Sequence, residues 1–70
     1  MTTILIGDYL PDSTVSRIKN AVFAELDTDP EWNGEQVEFG RAPYTRIDGD
    51  DHARDTRLLH NVVFKAIFSE

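Results

Sequence analysis

Seventy residues, 40% of them hydrophobic and including four Phe, two Tyr and one Trp, are rich enough in apolar surface to fold as one domain. A core of this size buries only about 60% of the surface that the unfolded chain exposes. The absence of cysteine excludes disulfides, Cys-ligated zinc and thiol chemistry together, and a formal net charge of −6 sets the chain against direct binding to DNA or RNA.

The first ten residues lack the basic start of a secretory signal and contain Asp8, with Pro11 just beyond, and every apolar stretch is far shorter than the roughly 20 residues of a membrane span. The expectation is a soluble, cytoplasmic single domain over residues 1–70. With two histidines and no cysteine, neither a metal nor a cofactor is expected.

Thr2 to Ile6 reads Thr-Thr-Ile-Leu-Ile and stops at Gly7-Asp8, a β-branched and aliphatic run without alternation, as in a strand covered on both faces. Pro11-Asp12-Ser13 then supplies a helix start, with Asp12 or Ser13 placed to accept the free amides of the first turn. Val15, Ile18, Val22 and Leu26 follow at helical spacing opposite Ser16, Arg17 and Asn20, which predicts an amphipathic helix of about four turns. Glu25 and Asp27 fall at its negative end, where the dipole disfavours each by about 0.3–1 kcal/mol.

Pro30 and Asn33-Gly34 mark Thr28 to Gly34 as a loop. Alternation over Glu35 to Phe39 predicts a strand with Val37 and Phe39 on one side and Gln36 and Glu38 on the wet side. Gly40 to Pro43 is expected to turn the chain, Tyr44 to Ile47 to form a third strand, and Asp50 or Asp51 to cap a second helix that runs to about Phe68. Leu58, Leu59, Val62, Val63, Ala66 and Ile67 give that helix a wide apolar stripe. A strand over Val62 to Phe68 also satisfies the alternation, but no Gly or Pro separates it from the helical residues before it.

The fold expected is α+β, a small β-α-β-β-α domain with two helices on one face of a two- to three-stranded sheet, the first crossover right-handed and the second connection a hairpin. His60, Phe64 and Phe68, four residues apart, make a second stripe on the last helix that so small a core cannot cover. They are the candidate oligomer interface of a homodimer.

The charge is localised. Glu25, Asp27, Asp29, Glu31, Glu35 and Glu38 fall within residues 25–38 without a single Lys or Arg, while the segments 1–24, 39–57 and 58–70 each balance to zero. Were Asp27 to Glu31 extended, the carboxylates of Asp27, Asp29 and Glu31 would point one way about 6.6 Å apart, a row that imitates phosphates. Trp32 amid them has the chemistry of an interface anchor. These seven residues, the six acids and Trp32, are the candidate contact with a basic, nucleic-acid-binding protein. Against that reading stands a plain solvated loop whose charges confer solubility.

Other patterns carry less. Asp29 to Gly34 matches the first half of a calcium loop, but the twelfth position is Gly40 where a bidentate Glu is required. Arg41, Arg46, Arg54 and Arg57 lie among Asp48, Asp50, Asp51 and Asp55 and are expected to pair within that segment rather than bind a polyanion. His52 and Asp55 have the spacing of an acid/base pair on a helix, yet no nucleophile, glycine elbow or phosphate loop accompanies them, so no catalytic residue is assigned. In type, a small cysteine-free acidic protein with concentrated carboxylates is similar to the inhibitors that phages and mobile elements direct against host nucleic-acid-binding proteins, restriction and CRISPR effectors included. The expectation is a non-enzymatic inhibitor or modulator. The alternative is a small homodimeric structural or regulatory subunit that binds through its last helix.

Overall fold

The computed structural model describes residues 2–28, 30, 36–48 and 53–69. Five elements follow in the order β1 (Thr2–Gly7), α1 (Asp12–Thr28), β2 (Val37–Ala42), β3 (Arg46–Asp48) and α2 (Ala53–Phe68). The fold is α+β, with two helices packed against a three-stranded mixed sheet of order β2-β1-β3.

The most apolar strand takes the centre. β1 pairs in parallel with β2, from Thr2 opposite Val37 to Gly7 opposite Ala42, and antiparallel with β3, Ile4 facing Ile47. The expected hairpin between β2 and β3 does not form, because β3 crosses to the far side of β1. Thr45 holds that crossing: the Gly7 amide donates to its hydroxyl at 3.0 Å, so the link passes over the end of β1 instead of folding back along β2. Central placement gives Ile4-Leu5-Ile6 two hydrogen-bonded neighbours and leaves the charged residues Glu38, Arg41, Arg46 and Asp48 on the edges, where charge discourages further strand addition.

Covering of β1 on both faces, expected from its unbroken apolar run, is also not what the fold provides. Ile4 and Ile6 are buried while Thr3 and Leu5, which alternate with them, are half-buried. Both helices lay their stripes on the Ile4 side: Ile18 and Val22 of α1 and Leu59, Val63 and Ala66 of α2 form one cluster with Ile4, Ile6 and Ile47. The opposite face carries Leu5, whose side chain lies over Gly40 closely enough that a Cβ there would stand 3.0 Å from its Cδ2.

Local boundaries shift for identifiable reasons. The Pro11 carbonyl accepts the Val15 amide at 3.1 Å, so Pro11 rather than Asp12 or Ser13 holds the cap position of α1 and Asp12 lies in its first turn. β2 runs on through Gly40-Arg41-Ala42, where a turn was expected, because β1 continues beside it: the Asp8 amide donates to the Ala42 carbonyl at 2.7 Å. The turn is left to Pro43 and Tyr44, and β3 begins only at Arg46. Val62 to Phe68 is helical, as the absence of a breaker implies.

Burial of one aliphatic side chain at full depth contributes about 1.5–3 kcal/mol, a large part of what so small a domain has to spare. Leu59→Ala, at a position with no solvent exposure, is expected to cost about 2–5 kcal/mol in urea unfolding, whereas Phe64→Ala on the exposed side of the same helix should change stability by less than about 0.5 kcal/mol. Equal losses at the two positions would show that the helix buries a different face.

Candidate functional site

The strand order gathers one end of the molecule. β2 starts beside Thr2, β3 finishes beside Thr3, and α1 returns from the far end of β1 to deliver the chain to the start of β2. The Arg17 guanidinium donates to the Ser69 carbonyl at 2.7 Å, which sets the end of α2 against the first half of α1 and its start at the opposite end. The carboxyl end of α1, the first residues of β1 and β2, the last of β3 and the first of α2 therefore share one end of the domain.

Glu25, Asp27, Glu38 and Asp48 all belong to that end, as do Arg54, Asp55 and Arg57 of the first turns of α2, so the acids outnumber the bases there. Asp27, Glu38 and Asp48 are exposed and Glu25 is half-buried. Glu38 and Asp48 both face Thr3 in the register, so Glu38, Thr3 and Asp48 form one row across the open side of the sheet, with the outer two about 10 Å apart at ordinary strand spacing. Asp48 shares its charge with Arg46 at 3.0 Å, an exposed pair of the kind worth about 0–1 kcal/mol. The chain leaves this end at Thr28 and re-enters it at Val37, then leaves at Asp48 and re-enters at Ala53.

Asp27 lies in the last turn of α1, so the extended carboxylate row through Asp27, Asp29 and Glu31 does not begin there. Within that turn the Thr28 hydroxyl donates to the Ala24 and Glu25 carbonyls at 3.1 and 3.3 Å, and no basic residue stands there. Asp29, Glu31, Trp32 and Glu35 lie outside the described residues, as do the rest of the calcium-like loop from Asp29 to Gly34 apart from Pro30, the cap candidates Asp50 and Asp51, and His52. Asp48 belongs to the acidic end although its segment balances to zero, and no local pattern in the sequence reveals this. Only the strand order brings it opposite Glu38.

The other end is balanced. Arg41 pairs with Asp8 at 3.6 Å rather than with the acids of its own segment, and it also donates to the Leu10 carbonyl at 2.9 Å, pinning the Gly7–Leu10 turn to β2. α1 spans about 25 Å, more than twice the Debye length of about 10 Å at 0.1 M salt, so charges at this end do not neutralise those at the acidic one.

On α2, His60 is exposed, and Phe64 and Phe68 are 62% and 68% exposed with ring centroids 4.6 Å apart. A second aromatic pair lies at the β2 edge, where Phe23, 51% exposed, meets Phe39 edge-on at 5.6 Å and Lys19 sits 5.7 Å above the Phe39 ring. An open groove of ≈ 450 Å³ runs between the helices, with Arg17, Lys65 and Glu25 among its lining residues. Among the described residues no group of His, Cys, Asp or Glu is arranged to hold a metal ion, and no helix is long and apolar enough to cross a membrane.

Comparison with protein-family models, with curated proteins and with solved structures found no match for this chain.

Like charges gathered at one end repel one another and contribute nothing favourable to stability. Asp27→Asn with Glu38→Gln is expected to leave the thermal midpoint unchanged or slightly higher, Asp27 gaining a few tenths of a kcal/mol by leaving the negative end of the helix dipole. A loss of more than about 1 kcal/mol in thermal unfolding would mean that these carboxylates hold the fold together.

Proposed function

We propose that the protein acts without catalysis, as an acidic inhibitor or modulator that sets its carboxylate end against the basic surface of a nucleic-acid-binding protein, in the place of nucleic acid. What supports this most is the convergence of separate chain segments on one end: Asp27 from α1, Glu38 from β2 and Asp48 from β3, exposed together and remote from the balanced end. A charged surface of this kind speeds encounter and selects a partner of opposite sign.

The proposed contact also takes in Asp29, Glu31 and Glu35, which the sequence places between α1 and β2, with Trp32 as its apolar anchor. A protein target is favoured over nucleic acid because the chain as a whole carries −6. Restriction and CRISPR effectors are targets with the required chemistry, being basic along the path of the nucleic acid they hold.

The test begins with affinity capture from host lysate, followed by rate measurements on the captured protein at several salt concentrations. Association should fall steeply with salt and with Asp27→Asn/Glu38→Gln, Trp32→Ala should act mainly by speeding dissociation, and bound nucleic acid should be displaced. A partner whose binding ignores salt and all of these substitutions would refute the reading.

A further inference from the structure

β2 is an edge strand six residues long, with β1 on one side. Its hydrogen bonding to β1 uses alternate residues: the Thr2 amide donates to the Gln36 carbonyl at 2.9 Å and the Asp8 amide to the Ala42 carbonyl at 2.7 Å, and the register in between pairs Glu38 with Thr3 and Gly40 with Leu5. The backbone groups of Glu38, Gly40 and Ala42 therefore turn toward β1. Those of Val37, Phe39 and Arg41 turn outward, a row of donors and acceptors of the kind that templates another strand. Beside that row stands the aromatic pair of Phe23 and Phe39.

We propose that a second copy of this chain occupies this edge, its β2 antiparallel to the first, giving a continuous six-stranded sheet with a twofold axis at Phe39. The strand is complementary to itself in this arrangement. A register centred on Phe39 sets Phe39 against Phe39 of the second copy and Val37 against Arg41 on either side, so that about six backbone hydrogen bonds form from the outward groups. Phe23 from each copy flanks the two central rings, closing an aromatic cluster that each chain alone leaves half open. A register centred on Glu38 would oppose two carboxylates and is disfavoured.

Charge selects the orientation. Antiparallel strands place the acidic end of each copy beside the Arg41 end of the other, whereas parallel strands would bring both acidic ends together. The other sheet edge suits pairing less, being three residues long with the Arg46–Asp48 ion pair along it. The Phe64/Phe68 stripe also suits a second copy less: α2 carries Arg54, Arg57 and Lys65 against Asp55 alone, so α2 against α2 brings two net positive helices together. The self-association expected from the size of the core is thereby assigned to β2, not to α2.

Amide hydrogen exchange on the wild-type chain reads the edge residue by residue, with sedimentation equilibrium alongside. The amides of Glu38 and Gly40, bonded to β1, should be protected at every concentration. Those of Phe39 and Arg41 should gain roughly tenfold or more in protection from micromolar to millimolar, as the mass rises from the 8.0 kDa of one chain toward twice that. Phe23→Lys, at a helix position exposed in the monomer, should weaken the dimer about tenfold or more, and Phe64→Glu/Phe68→Glu should leave it intact. An 8.0 kDa species at millimolar concentration overturns the proposal. So does protection of Phe39 and Arg41 that does not vary with concentration, or a dimer that Phe64→Glu/Phe68→Glu dissolves and Phe23→Lys spares.

Discussion

Everything in this domain depends on β1 having two unlike neighbours, β2 running with it and β3 against it. A parallel neighbour requires the intervening chain to return to the end where β1 began, and α1 is that return. An antiparallel neighbour finishes at the same end. The carboxyl end of one helix, the start of one edge strand, the finish of the other and the start of the second helix are thus brought to one end by pairing rules alone. Carboxylates that lie as far apart in the chain as Asp27 and Asp48 become neighbours in the sense that matters for a long-range field.

That arrangement separates two tasks. The balanced end is mechanically committed: Arg41 holds the Gly7–Leu10 turn, Thr45 accepts from Gly7, and Arg17 reaches the last carbonyl of the described chain. The acidic end has few such ties among the described residues, Arg46 to Asp48 and the Thr28 hydroxyl to α1 being the clear ones. The exposed carboxylates of Asp27 and Glu38, unlike that of Asp48, remain available to an external cation, at the cost of mutual repulsion that a core of this size must absorb. The positive start of α2 offsets part of the negative close of α1, so the field at this end is set mainly by side chains.

Periodicity in the sequence was enough to reveal both helices, their buried stripes and β1, because spacing and burial are local properties. Strand order was not legible, since nothing within β2 or β3 states on which side of β1 each will lie; the three-residue link from Pro43 to Thr45 reads as a turn whether it folds back or crosses over. Gly40 has a physical role that its sequence context hides: a glycine three residues before Pro43 suggests a turn, yet here it makes room for Leu5 from the neighbouring strand. The ion pair of Arg41 with Asp8 is not legible in the sequence because the two lie far apart in the chain. The acidic segment itself was plain in the composition, but the membership of Asp48 and the helical state of Asp27 depended on three-dimensional context.

The claim on which the account rests is that the folded chain carries its negative potential at one end. Paramagnetic relaxation of backbone amide protons by a matched pair of cationic and anionic nitroxide probes measures that potential residue by residue in solution. The amides of Thr28, Glu38 and Asp48 should report a potential distinctly more negative than those of Tyr9, Ala42 and Ser69, with the difference shrinking as salt is raised. Equal potentials at the two ends at low salt would contradict it.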